Sequence, residues 1–139
     1  MKPETFSGRL LVAGDAKGVA LVSGRAFTFA HGVNPATGEV TDVRSDIRGQ
    51  NVRGRVLFYP YGKGSTTASA WFLETVRQGN APVAIVTAGP DLSAVIGSLL
   101  ARIIYGKSIP ILSSFAEELY AVLDNKTQVE VKGAELTLV

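Results

Sequence analysis

Apolar and polar residues alternate with two different periods along this chain. The first half reads as short apolar runs broken by turn residues. Residues 10–13 (LLVA) stop at Gly14-Asp15, residues 19–22 (VALV) stop at Ser23-Gly24, and residues 26–30 (AFTFA) form a third run. Each has the length of a short strand. Residues 31–42, HGVNPATGEVTD, carry the turn pairs Asn34-Pro35 and Thr37-Gly38 and predict an ordered loop with little room for a helix. Residues 52–59 are the strongest early strand, because Val56-Leu57-Phe58-Tyr59 is continuously apolar, as in a strand covered on both faces.

In the second half, helical spacing alternates with short apolar runs. Ala68, Trp71, Phe72, Thr75 and Val76 recur at helical intervals and predict a helix over 65–78, with Gly79 just past its end. Residues 83–87 read as a buried strand, and Asp91 is placed to cap the next helix. There Leu92, Val95, Ile96, Leu99, Leu100, Ile103 and Ile104 make an apolar stripe, expected to pack on the sheet, and Gly106 ends it. A strand over 109–112 follows, then a short helix over 114–123 with Glu117 and Glu118 on its wet face. Two strands, 128–131 and 135–139, flank Lys132-Gly133 as a closing hairpin. This order predicts an α/β fold, with helices on a mainly parallel sheet that the β-rich first half extends or covers. No repeat or linker divides residues 1–139, so one domain is expected.

Composition narrows the function classes. Apolar residues at 46% supply a core, and charged residues at 19% are too few for a disordered chain. The net charge of +2 is scattered, with no basic stripe to track phosphates, so no nucleic acid partner is expected. No apolar run approaches the roughly 20 residues that span a membrane. The opening residues lack the apolar core of a signal peptide, which makes the cytoplasm the expected location. The chain has no cysteine, so a disulfide, a thiol nucleophile and a cluster held by this chain alone are all excluded. No His, Asp and Glu fall at metal-ligand spacing, so no metal site is expected.

The candidate chemistry sits in residues 58–69, FYPYGKGSTTAS, where a buried strand runs through a glycine turn into a helix. The first N–H groups of a helix lack partners within it, and the helix dipole adds partial positive charge there. Gly62 and Gly64 let the backbone approach a ligand, Lys63 adds a cation, and Ser65, Thr66 and Thr67 add hydroxyls. Such a junction suits a carboxylate, a phosphate or a serine alkoxide; equally, Ser65 could do no more than cap the helix. The turn does not match a P-loop, since Gly64 separates Lys63 from Ser65, and it is not a Gly-x-Ser-x-Gly elbow. His31 is the sole histidine, far off in a turn-rich loop, and reads as solvated or structural. Trp71 and Phe72 read as core.

The chain resembles the aconitase X swivel-domain family, which includes the small subunit of phosphomevalonate dehydratase. The likeness rests on GDAKGVALVS, FAHGVNPATGEVTD, IRGQNVRGRVLFYPYGKGSTTAS, RQGNAPVAIVTAGPD and IGSLLARIIYGKSIPIL, in that order. The resemblance implies a swivelling β/β/α domain, like the mobile domain of aconitase. It implies a hydro-lyase small subunit, inactive without a large subunit that carries an iron–sulfur cluster. In that superfamily a serine of this domain is the general base, and the matching residue is Ser65. Gly62, Lys63, Gly64, Thr66 and Thr67 would then bind a small anionic hydroxy acid, mevalonate 5-phosphate or cis-3-hydroxy-L-proline. His31-Gly32-Val33, Ser45-Asp46-Ile47-Arg48-Gly49 and Ala68-Ser69 depart from the family's commoner residues and leave the substrate open. The alternative is a non-catalytic binding or regulatory domain with the swivel fold. Phosphohistidine carriers share that fold class but need a histidine in the glycine turn, which GKGSTTAS lacks.

Overall fold

The computed structural model describes residues 4–115 and 117–139. Its architecture turns on β3 (Asp15–Val22), the strand that serves two different neighbours. From Asp15 to Val19 it pairs antiparallel with β7 (Gln128–Lys132); from Ala20 to Val22 it pairs parallel with β4 (Val56–Tyr59). On one side of β4 follow β5 (Ala84–Thr87) and β6 (Ile111–Ser113), both parallel, and then β2 (Arg9–Val12), antiparallel at the edge. On the other side of β7 follow β8 (Glu135–Leu138) and β1 (Glu4–Ser7), both antiparallel. Among the described residues the order β1-β8-β7-β3-β4-β5-β6-β2 makes one eight-stranded sheet. The guanidinium of Arg55 secures the point where β3 changes partners. It donates to the carbonyls of Val19 (3.0 Å), Ala20 (2.6 Å) and Asn125 (3.0 Å).

Alternate residues of the central strands enter two cores. Leu21, Leu57, Tyr59, Ile85 and Ile111 face α1 (Ala68–Arg77) and α2 (Leu92–Tyr105), meeting Phe72, Val76, Ala94 and Ala101. Ala20, Val56, Phe58, Ala84, Val86 and Leu112 face the other way, toward Leu119 of α3 (Glu117–Val122) and toward Val129, Val131 and Leu136. The loop between β3 and β4 covers the first core with Phe27, Phe29, Val33, Val40, Ile47 and Val52. Phe29 lies 4.7 Å, centroid to centroid, from Phe72. That loop is ordered by its own polar groups, as its turn residues predict. Asn34 Oδ1 accepts from Ala36 N–H (2.9 Å), and Thr37 Oγ1 accepts from Glu39 N–H (3.1 Å).

The α/β class expected from the sequence holds, and several details change. The sheet is mixed rather than mainly parallel. Its parallel part is confined to β3, β4, β5 and β6, whereas β7 alternates buried and exposed residues, the pattern of an antiparallel strand with one wet face. β3 begins earlier than residue 19, because Asp15 and Lys17 face solvent while the strand continues. Residues 26–30 form no strand; only Phe27 pairs, in an isolated bridge to Gly62. The strand expected over 52–59 starts at Val56, since Gly54 takes a positive φ of 70° and turns the chain. Ser114 also has a positive φ (64°), so α3 starts after it, and Ala116 of the helix expected there lies outside the described residues.

The largest correction concerns α2. Its apolar stripe does not pack on the sheet: Leu92, Ile96, Leu99, Ile103 and Ile104 are exposed. The buried face consists of Ala94, Gly97, Ser98 and Ala101. A β-carbon on Gly97 would stand 2.7 Å from Phe72 Cδ2, so only small residues allow the helix to lie this close to α1. Ser98 Oγ donates to the Ile109 carbonyl (2.5 Å). The helix ends match their signals: Asp91 caps α2, and Gly106 closes it with a positive φ of 65°.

Candidate functional site

The chain leaves β4 at its carboxyl end, where open α/β sheets place their ligands. Three contacts then fix the turn that follows. Phe27 N–H donates to the Tyr61 carbonyl, and the Phe27 carbonyl accepts from Lys63 N–H, both at 3.0 Å. Gly62 packs on the carboxylate of Asp91, where a β-carbon would come within 2.6 Å of Asp91 Cγ. Gly64 has a positive φ of 78°, which reverses the chain without steric cost.

Ser65 follows this reversal. Its carbonyl accepts from Ala68 N–H and from Ser93 Oγ, each at 3.3 Å. Its hydroxyl oxygen accepts from Thr67 N–H at 3.3 Å and lies 3.1 Å from Thr67 Oγ1. The helix expected from residue 65 therefore begins at Ala68, after a separate hydroxyl-closed turn. The residue in the cap position is Thr67, and it makes no side-chain cap bond. Among the described residues, none accepts a hydrogen bond from the N–H groups of Gly64, Ser65 or Thr66. Successive free N–H groups after a positive-φ glycine form a concavity suited to an anion.

Lys63 is engaged rather than free. Its ammonium pairs with Asp42 Oδ2, while Asp42 Oδ1 accepts from Arg44 N–H (2.9 Å). The Lys63 hydrogen bond and, less strongly, the Arg44 N–H hold the Asp42 carboxyl below the usual carboxylate range. On the other side of the turn, the fully buried Tyr59 hydroxyl donates to Asp91 Oδ2 (2.6 Å), and Asp91 Oδ1 accepts from the N–H groups of Ser93 (3.1 Å) and Ala94 (3.4 Å). Burial, reinforced by the Asp91 carboxylate, pushes the Tyr59 hydroxyl well above its ordinary value.

All six residues singled out in the sequence, Gly62, Lys63, Gly64, Ser65, Thr66 and Thr67, thus lie in one surface turn, the mouth of the candidate site, with Lys63, Gly64, Thr66 and Thr67 exposed and Gly62 and Ser65 half-buried. Thr67 turns toward Ser65 rather than outward alone. Sequence reasoning missed Phe27, Asp42 and Ser93, which hold the mouth from three separate segments. No local motif marks them; Asp91 was legible only as a helix cap. His31 is exposed, with a positive φ of 57°, and its ring lies 4.4 Å from that of Trp71, itself partly buried. Among the described residues, no three of His, Cys, Asp and Glu gather where a metal could be held, and no helix is long and apolar enough to cross a membrane.

Comparison with known proteins adds four relations. Residues 5–139 match the family described as the aconitase X swivel domain. The chain is 43% identical over 98 residues to the phosphomevalonate dehydratase small subunit of Thermococcus onnurineus, spanning 70% of this chain and 75% of that one. It is 39% identical over 103 residues to the cis-3-hydroxy-L-proline dehydratase of Pseudomonas aeruginosa, spanning 74% of this chain and 18% of that protein. Its fold superimposes on a chain of the crystal structure of Thermococcus kodakaraensis aconitase X in the holo-form with a TM-score of 0.87 and 31% identity, covering 98% of both.

Proposed function

The chain belongs to the aconitase X swivel-domain family, as a counterpart of dehydratase small subunits, and from that premise we propose that it supplies the proton acceptor of a hydro-lyase site completed by a larger chain. The observation that carries this reading is the setting of Ser65. Its oxygen already accepts from Thr67 N–H, and the N–H groups of Gly64, Ser65 and Thr66, which find no acceptor among the described residues, lie next to it and are free for the substrate. A serine hydroxyl is far too weak an acid to ionise unaided near neutral pH, and donors aimed at the oxygen are what an alkoxide needs.

In the proposed reaction Ser65 Oγ accepts the proton from the carbon next to the substrate's carboxylate. The hydroxyl on the neighbouring carbon leaves toward the partner, taking up a proton from that side to become water, a carbon–carbon double bond forms, and Ser65 gives its acquired proton to solvent before the next turnover. The N–H groups of the turn, with Lys63 held beside them by Asp42, bind the carboxylate. Gly62 keeps that backbone close to Asp91, and Thr66 lines the entrance.

The iron–sulfur cluster that the resemblance implies does not fit this chain, which has no cysteine and, among the described residues, no metal-binding cluster. The cluster would be held by the proposed large subunit. The two substrates named by the relatives, mevalonate 5-phosphate and cis-3-hydroxy-L-proline, are both hydroxy acids that lose water. The test is to purify the chain alone and together with a large subunit and to assay both compounds. Dehydration of one by the pair, and of neither by the single chain, is expected. Dehydration by the metal-chelated single chain, or turnover undiminished in Ser65→Ala, overturns the reading.

A further inference from the structure

The exposed side of α2 has a regular order. Leu92, Ile96, Leu99 and Ile103 follow in steps of four, three and four residues, the spacing of a seam that packs against another helix. Leu92 is 70% exposed and Ile103 79%, too open for residues of this size unless something covers them. The one charged side chain of α2, Arg102, is turned aside to the Ala13 carbonyl, so the seam carries no charge. Ile104 and the half-buried Val95 and Leu100 widen it.

The row starts at the mouth of the candidate site. Leu92 lies between Asp91, which touches Gly62, and Ser93, whose hydroxyl holds the Ser65 carbonyl. Two further exposed apolar residues stand at the same mouth: Tyr61, beside Gly62, and Val43, beside the Asp42 that pairs with Lys63. A body that covers Ser65 therefore borders both this apolar rim and the start of α2.

We infer that α2 and the apolar rim form one docking surface for the large subunit, whose matching face is an uncharged helical ridge laid along Leu92, Ile96, Leu99 and Ile103. This rests on the proposed function. A second copy of the chain is the weaker occupant. A 14-residue helix spans about 21 Å, and a seam of that length buries less than the roughly 1,200 Å² at which stable interfaces begin. The large subunit must also cover the mouth, so for it the seam is only part of a wider contact. The Pseudomonas aeruginosa relative fits the same arrangement, because there this domain is a small part of a much longer chain.

The test measures binding of the purified large subunit to the chain by sedimentation and titration calorimetry. The chain carries Ile96→Glu with Ile103→Glu, or, as a control on α3, Val122→Glu, also at an exposed position. The α2 variant is expected to bind about 100-fold more weakly, as central interface residues do, while melting alone like the parent chain; the control should bind like the parent. Parent-like binding by the α2 variant overturns the inference and leaves the proposed function standing. So does a parent chain that self-associates through α2, with the variant monomeric yet still bound by the large subunit. Absence of any binding by the parent chain overturns both.

Discussion

The Asp91 carboxylate rests against the α-carbon of Gly62, so closely that a β-carbon at that position would stand 2.6 Å from Asp91 Cγ. The same carboxylate caps α2 and accepts from the Tyr59 hydroxyl. Gly62→Ala is therefore expected to displace Asp91 or the turn. The cost should be about 1–3 kcal/mol, the usual range for overpacking a fixed site. Thermal melting of the isolated variant checks this, and an unchanged melting temperature would show that the turn yields instead.

Ser65→Ala in the assembled pair is expected to lower kcat by about 10²–10⁴-fold, the contribution of a positioned general base. Its melting should change little, because the lost bond to Thr67 N–H is long, at 3.3 Å, and Ser65 is not in the helix cap position. Thr67→Val removes only the hydroxyl beside Ser65 Oγ and should slow turnover by about tenfold, the worth of one neutral hydrogen bond. Steady-state kinetics of the two variants with the large subunit present make the comparison.

Asp42 and Lys63 should act on KM in opposite directions. Lys63→Ala removes a cation beside the N–H groups and should raise KM for an anionic substrate several-fold, with kcat less affected. Asp42→Asn releases the lysine and removes a competing negative charge, so KM should fall. The change stays within a few-fold because both side chains are partly open to solvent. Parallel movement of KM in the two variants would show that Lys63 serves only to hold the loop.

The same pair makes an acid-side contribution to stability. The Asp42 carboxyl is held below its ordinary value, so its stabilisation is present above the ordinary carboxylate range and is lost as pH falls through the lowered value. Asp42→Asn should thus be the less stable chain near neutrality, and the difference should close under strongly acid conditions. Melting temperatures across that range test it.

Tyr59 works at the alkaline end. Its hydroxyl is raised well above its ordinary value of 10.0, so its contribution is intact below about pH 10 and is lost as pH climbs toward the raised value. Tyr59→Phe is expected to cost about 1.5–3 kcal/mol at neutral pH, the range for a hydrogen bond to a charged group. Its melting should then decline less steeply than the parent's above pH 10. Equal slopes would remove Tyr59 as the cause.

The candidate mouth was legible because it is contiguous: Gly62 to Thr67 carry their chemistry and their turn in one short stretch. Asp42, Ser93 and Phe27 were not, because they reach it from distant segments and resemble ordinary loop and helix residues. The central strands were legible from continuous apolar runs such as residues 56–59. β1 was not, since Phe6 is the only large apolar residue in Glu4–Ser7 and its pairing comes from β8 at the opposite end of the chain. α2 was read correctly as a helix and incorrectly as to its face. Periodicity reports that an apolar stripe exists, but not which surface covers it, and here small residues set the inner contact.

β3 takes one neighbour from the middle of the chain and the other from its end. When the ribosome has released residues up to Ser113, β3, β4, β5 and β6 can all pair, but the stretch from Asp15 to Val19 still waits for β7. β1 likewise waits for β8. Long-range pairings of this kind are slow, because the intervening chain must close first. Completion of the sheet thus trails the pairing of its centre, and a nascent chain stalled before residue 128 displays an unpaired length of β3 to its neighbours on the polysome.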